Sequence, residues 1–360
     1  MDAFLVLASI VHCYVGCNVG SPDRQGIHVL ACDTETGAAR IVQSVKGIQD
    51  STYFELDRDG KYLYSIVAEK KSGRKTGTVV RFPLDGWRLG PVEHLADLPS
   101  EAPCHVTLTP DGCRVALAAY SSAVVSTVRT DGLDLKSVTL PDDAMGPNRR
   151  RQEKAHAHQV FNVGRGGVLG VVDLGCDRIR FVDPVTLEGT DIPDVRFDAG
   201  DGPRHAVWSK DGRFLFVTCE LSSDVYSFAF DGKAFRRVGK WTMLPPGTKD
   251  SWASAIKLTD DGKILMASNR GHESIAFYDV NTADGTLKLR NIAKLTGSFP
   301  RDFELMPGEK FMVVGHERSD NLQVYRFDRT ACTLTPVGDP IAAWHPLCFK
   351  FKPSKQEMTR

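Results

Sequence analysis

Apolar and polar positions alternate in short bursts along this chain, and the bursts recur. After Asp211-Gly212 comes Arg213-Phe214-Leu215-Phe216-Val217, an apolar run of strand length. From Asp224 to Phe230 apolar and polar side chains alternate, Asp231-Gly232 forms a turn, and another run spans Lys240 to Leu244. A two-residue period broken by Gly and Asp turns predicts short antiparallel strands. No segment carries a long helical period with caps at its ends.

Seven segments open and turn in the same way, about fifty residues apart. The clearest is Pro203-Arg204-His205 leading to Lys210-Asp211-Gly212. Pro103-Cys104-His105 leads in the same way to Pro110-Asp111-Gly112, and Pro300-Arg301-Asp302 to Pro307-Gly308. A period of that length with a turn in each copy indicates a solenoid, propeller or array. About four strands per copy in seven copies predict an all-β, seven-bladed β-propeller, four antiparallel strands to a blade, occupying residues 1–360 as one domain. The last copy opens at His345-Pro346 and holds one strand. The first residues, Cys13 to Cys17 and Gly26 to Leu30, read as strands with no opening segment of their own. Both termini are therefore expected to share one blade, which closes the ring and removes exposed sheet edges.

Composition adds exclusions. Lys+Arg 45 balances Asp+Glu 45, so neither a nucleic acid nor an anionic membrane is an expected partner. Nine cysteines are scattered without a CxxC pair, the usage of reduced thiols in the cytoplasm. The apolar stretch from Ala3 to Val11 follows Asp2, has no basic flank and is too short to span a bilayer. It reads as a first strand rather than a signal peptide.

In a propeller the first strand of each blade lines the central channel, and the second returns antiparallel after a tight turn. The start of strand one and the end of strand two therefore share a face of the ring. The starts are Thr52, Cys104, His158, Arg204, Ser254, Arg301 and Leu347. The ends are Ala68 or Glu69, Tyr120, Leu174, Glu220, Arg270, and His316 or Glu317. One mouth thus collects His158, Arg204, Arg270, Arg301, Glu220 and Tyr120, with His156, Glu69 and Glu317 beside them. Arginines grouped around one Glu and one His point to an anionic substrate. Alternation along the strand turns His205 away from Arg204 into the blade packing, and Cys219 away from Glu220 into the core. His156 and His158 are spaced like a metal pair, but no third ligand or HExxH motif accompanies them. The run Arg149-Arg150-Arg151 is either a solvated loop or a guide for an anion near the mouth.

These residues bring a family into view. Gly146-Pro147-Asn148-Arg149-Arg150-Arg151-Gln152, followed by His156-Ala157-His158-Gln159, resembles the lactonase family of seven-bladed propellers. That family includes a bacterial type of 6-phosphogluconolactonase and a fungal carboxymuconate-lactonizing enzyme. Asp173-Leu174-Gly175-Cys176-Asp177-Arg178, Gly202-Pro203-Arg204-His205, Cys219-Glu220-Leu221, Ser268-Asn269-Arg270 and Phe299-Pro300-Arg301-Asp302 match in order and spacing. The chain departs from the family pattern in blade two, at Ala119-Tyr120-Ser121-Ser122. The resemblance implies a catalytic set of His158, Arg204, Glu220 and Arg270, the four that the repeat alignment selects. It implies hydrolysis of a small anionic lactone, 6-phosphoglucono-δ-lactone above all. His158 or Glu220 would activate water, and Arg204 and Arg270 would hold the anion and the oxyanion. No metal or organic cofactor is required. A cycloisomerase closing a carboxylated muconate, and a non-catalytic binding propeller, are the alternatives.

Overall fold

The computed structural model describes residues 9–71, 74–164 and 167–352, with the side chains of 69–71 and 74–75 outside that description. Seven antiparallel sheets follow one another around a ring. Blade one holds Phe54–Leu56, Tyr62–Lys71, Arg74–Asp85 and Glu93–Asp97, with Arg88–Leu89 extending its third strand. Blade two opens at His105–Leu108, blade three at Ala157–Val163, blade four at Pro203–Trp208, blade five at Trp252–Leu258 and blade six at Pro300–Leu305. Blade seven takes its inner strand, Pro346–Phe351, from the C-terminal end of the chain. Ile10–Cys17, Gln25–Asp33 and Ala39–Lys46 come from the N-terminal end. The two ends zip together through Tyr14↔Lys350 and Val15↔Phe349. The expected first strand thus begins at Ile10, and residues 3–8 of that expectation lie outside the described residues.

The apolar runs are explained by what covers them. Phe214–Cys219 is buried at every position because it sits mid-sheet with a neighbouring blade on each face. Buried residues form seven clusters, one at each interface between adjacent blades. Cys219 lies in the cluster between blades three and four, as alternation requires. Among the described residues there is no α-helix, and Glu317–Ser319 forms a short 3-10 turn.

The blade openings depart from regular pairing. In blade four Pro203 pairs with Cys219 and His205 with Thr218, which leaves Arg204 as an extra residue in a bulge. The same slip sets His158 between Ala157 and Gln159, and Arg301 between Pro300 and Asp302. A bulge puts two residues opposite one and re-aims side chains. Consequently His158 and Arg301 face the mouth and Arg204 reaches Glu220 from just beneath it, while Gln159, His205 and Asp302 face the channel. This corrects the expectation for His205. Its ring stands 5.2 Å from that of His158 and 5.5 Å from that of His105, in the channel and not in the blade packing.

Candidate active site

The mouth of the channel is a cavity of about 390 Å³, lined by Tyr120, Arg151, His158, Glu220, Arg270 and Arg301 among others. Its centre is Glu220, the residue that follows the second strand of blade four. The backbone N–H of Glu220 donates to the Gly202 carbonyl at 2.7 Å, and Gly202 N–H donates to the Asp177 carboxylate at 2.7 Å. Gly202 holds φ +61°, and a Cβ there would meet Leu221 at 2.6 Å. Glycine is needed at this point to bring the Arg204 strand and Glu220 together.

Three guanidinium groups converge on the one carboxylate. Arg204 Nε donates to Glu220 Oε2 at 3.0 Å, and Arg270 Nη2 lies 2.9 Å from the same oxygen. Arg151 Nη2 takes Oε1 at 2.6 Å. His158 Nε2 stands 3.9 Å from Oε2. Glu220, Arg204, Arg270 and His158 are all at least nine-tenths buried. Burial by itself pushes the Glu220 carboxyl up, but Arg270, Arg204 and Arg151 outweigh it and hold the group well below the usual carboxylate range. Burial lowers Arg204, and the nearby Arg270 and Arg301 lower it further. The cluster carries more positive than negative charge in a desolvated place, the condition that favours an anion. Arg204 Nη1, Arg270 Nε and His158 Nδ1 are buried without a protein hydrogen-bond partner.

His158 is neutral near pH 7: burial lowers it well below the ordinary range, and Arg204 adds to this against the opposing pull of Glu220. Glu220 has both oxygens engaged by arginine, so of the two expected bases His158 is the one with a free lone pair.

The other expected residues fall in different places. Tyr120 lines the mouth, and its hydroxyl accepts from Arg151 Nε at 3.1 Å. Arg301 lines it too and pairs with Glu317 at 3.4 Å, not with its neighbour Asp302. Asp302 instead lies in the channel, 3.6 Å from Lys257. His156 is buried behind Tyr120, its ring stacked on the phenol at 4.2 Å and its nitrogens 3.0 Å from the Tyr120 carbonyl and 3.1 Å from Glu153. It supports Tyr120 and does not line the cavity. Glu69 pairs with Thr76 in the blade-one ladder; its side chain lies outside the described residues. Of the basic run, Arg149 and Arg150 are exposed and Arg151 enters the site. Only that run in the sequence pointed to Arg151, and nothing in the spacing said which member would turn inward.

Below the mouth a second cavity of about 310 Å³ holds His105, His205, Tyr53, Lys257 and Lys350. Its histidines bear on stability. Burial lowers His105 and His205 well below the ordinary range, as it does His158, and nearby Lys and Arg reinforce the shift. All three stay neutral in the fold, whereas in the unfolded chain they take up protons below pH of about 6.5. Their contribution is therefore complete above that pH and is lost as the pH falls below it. The expected slope is about 1.4 kcal/mol per pH unit for each histidine. Urea denaturation should show a marked drop in stability between pH 7.5 and 5.5, and a His105→Gln, His205→Gln double variant should show a smaller one. A flat profile in the unsubstituted protein would contradict this.

The chain is thus a closed ring of seven blades that carries a buried cluster of Arg, Glu and His at one mouth of its channel. Residues 12–351 match the family described as Lactonase, 7-bladed beta-propeller, and the chain belongs to that family of lactone hydrolases. It is 31% identical over 339 residues to a 6-phosphogluconolactonase of Bacillus subtilis, covering 91% of this chain and 94% of that one. It is 27% identical over 332 residues to a 6-phosphogluconolactonase of Formosa agariphila, covering 88% and 92%. Among solved structures, the periplasmic gluconolactonase of Pseudomonas aeruginosa superposes with a TM-score of 0.86 at 25% identity, over 96% of this chain and 99% of that one. Among the described residues no helix is long and apolar enough to cross a membrane.

Proposed function

We propose that this enzyme hydrolyses 6-phosphoglucono-δ-lactone to 6-phosphogluconate. The observation that carries the reading is the cationic excess around Glu220 beside the neutral imidazole of His158. An anionic sugar lactone satisfies the arginines, and its carbonyl needs the base. His158 accepts a proton from water as the water oxygen bonds to the lactone carbonyl carbon. The guanidinium groups of Arg204 and Arg270 stabilise the oxyanion that develops. When the tetrahedral intermediate collapses, the ring C–O bond breaks and the leaving oxygen takes the proton back from His158. Glu220 offsets the charge of the transient imidazolium. The residues themselves supply every proton and charge in this sequence. All nine cysteines are unpaired, which suits a reducing cytoplasm.

The test is an assay of the purified protein on 6-phosphogluconolactone and on a carboxymuconate, with spontaneous lactone hydrolysis subtracted. Accelerated hydrolysis of the first is expected, and Arg204→Ala should slow it about 10²–10³-fold. Turnover of the muconate alone would move the reading to a cycloisomerase, and an Arg204→Ala enzyme at full rate would sink the proposed mechanism.

A further inference from the structure

Of the three arginines on Glu220, Arg151 alone does not come from a blade strand. It belongs to the connection between blades two and three, outside Lys136–Thr139 and Ala157–Val163. Its backbone is held firmly. Arg151 and Gln152 N–H groups donate to the Asn148 carbonyl at 3.0 and 2.7 Å. The buried Gln152 amide donates to the Leu174 carbonyl at 3.0 Å and accepts from Asn148 N–H at 3.2 Å. The side chain is less confined. It is 35% exposed, against 3% for Arg204 and 6% for Arg270. Arg204 and Arg270 are buried on their strands, and Arg270 Nη2 also donates to the Ala253 carbonyl at 2.9 Å. Arg151 can pivot at the cavity wall.

Its two contacts are both ones a substrate can replace. It holds Glu220 Oε1 and the Tyr120 hydroxyl, and both contacts look into the cavity. A phosphoryl group in that cavity offers a guanidinium more charge and a bidentate geometry. We propose that Arg151 is a positioning and specificity-determining residue that masks Glu220 until the anionic tail of the substrate draws it away. This rests on the lactonase reading above. Once Arg151 moves, two guanidiniums are left for one carboxylate, and more of the Glu220 charge falls on His158. The charged and titratable groups facing Glu220 are then Arg204 from blade four, Arg270 from blade five, His158 from blade three and Tyr120 from blade two, with Arg301 farther off. A stronger partner charge raises the basicity of His158. Tail recognition therefore appears in kcat, not only in KM. A lactone without an anionic tail leaves Glu220 masked and reacts slowly.

The experiment compares the unsubstituted enzyme with Arg151→Gln, Arg151→Lys and Arg150→Ala, on glucono-δ-lactone and 6-phosphogluconolactone, across the acid pH range. In the unsubstituted enzyme kcat should favour the phosphorylated lactone. Arg151→Gln should reduce that preference about 10-fold or more. With the uncharged glucono-δ-lactone, the acid limb of kcat/KM reports the free enzyme, and Arg151→Gln should move it upward by about one pH unit. Arg151→Lys should recover part of the preference. Arg150→Ala, changed on the exposed side of the same loop, should match the unsubstituted enzyme. If the unsubstituted enzyme turns over lactone while Arg151→Gln keeps both the kcat preference and the acid limb, this inference is overturned and the lactonase reading stands. If the unsubstituted enzyme hydrolyses neither lactone, the lactonase reading is overturned and this inference with it.

Discussion

Glu220→Gln is expected to lose about 3–5 kcal/mol of folding stability at neutral pH, because it leaves buried arginines without their counter-charge. The change keeps the shape of the side chain, so the loss comes from charge and not from a cavity. Arg204 and Arg270 are almost wholly buried, and the exposed flank of the cluster belongs to Arg151 alone. Water therefore screens little of the repulsion between them. The pH dependence has a definite sign. The folded-state pKa of Glu220 is depressed. Its contribution is thus present above the unfolded carboxylate value of about 4.3 and is lost as the pH falls through the folded value. The gap between the two proteins should be widest at neutral pH and close only in strong acid. Added inorganic phosphate should stabilise the variant more than the unsubstituted protein, since an anion that binds the folded state alone shifts the equilibrium toward it. Denaturation curves with and without phosphate would check this. Equal stability of the two proteins would mean that the arginines do not depend on Glu220.

His158→Gln should lower kcat for lactone hydrolysis about 10²–10⁴-fold, the usual contribution of a positioned general base, while leaving KM largely unaffected. The glutamine fills similar volume, so thermal unfolding should confirm an intact fold. In the unsubstituted enzyme the acid limb of activity should lie below pH of about 6.5, because the imidazole stays neutral to lower pH than a free histidine. Activity is present above that limb and disappears as the pH falls through it. A His158→Gln enzyme with full kcat would transfer the base role to Glu220 and require Arg151, Arg204 and Arg270 to release it.

Much of this site is legible in the sequence alone. Equivalent positions in a closed repeat occupy equivalent places around the axis. Aligning the seven openings therefore placed His158, Arg204 and Arg301 at one mouth, and aligning the strand ends added Tyr120, Glu220 and Arg270. All but Arg204 line the same cavity, and Arg204 reaches Glu220 from just beneath it. His156 looked equivalent to His158 because it lies two residues earlier on the same strand side. The structure sets it behind Tyr120, since the bulge at His158 breaks the alternation on which that equivalence rested.

The sequence by itself determined the number of blades, the blade shared by both termini, and the gathering of Tyr120, His158, Glu220, Arg270 and Arg301 at one mouth. These follow from local patterning repeated seven times, and closing the ring turns a local period into a global address. The tertiary structure decided three things that local patterning does not encode. It decided the one-residue slips that send His205 into the channel, since a bulge depends on the partner strand as much as on its own residues. It decided that Arg301 pairs with Glu317 and Asp302 with Lys257, because burial and distance choose among charges that composition only counts. It also decided that Arg151, from a connection outside the repeat, closes on Glu220. A long side chain outside the repeat has no equivalent in the other copies, so only its place in three dimensions could show what it touches.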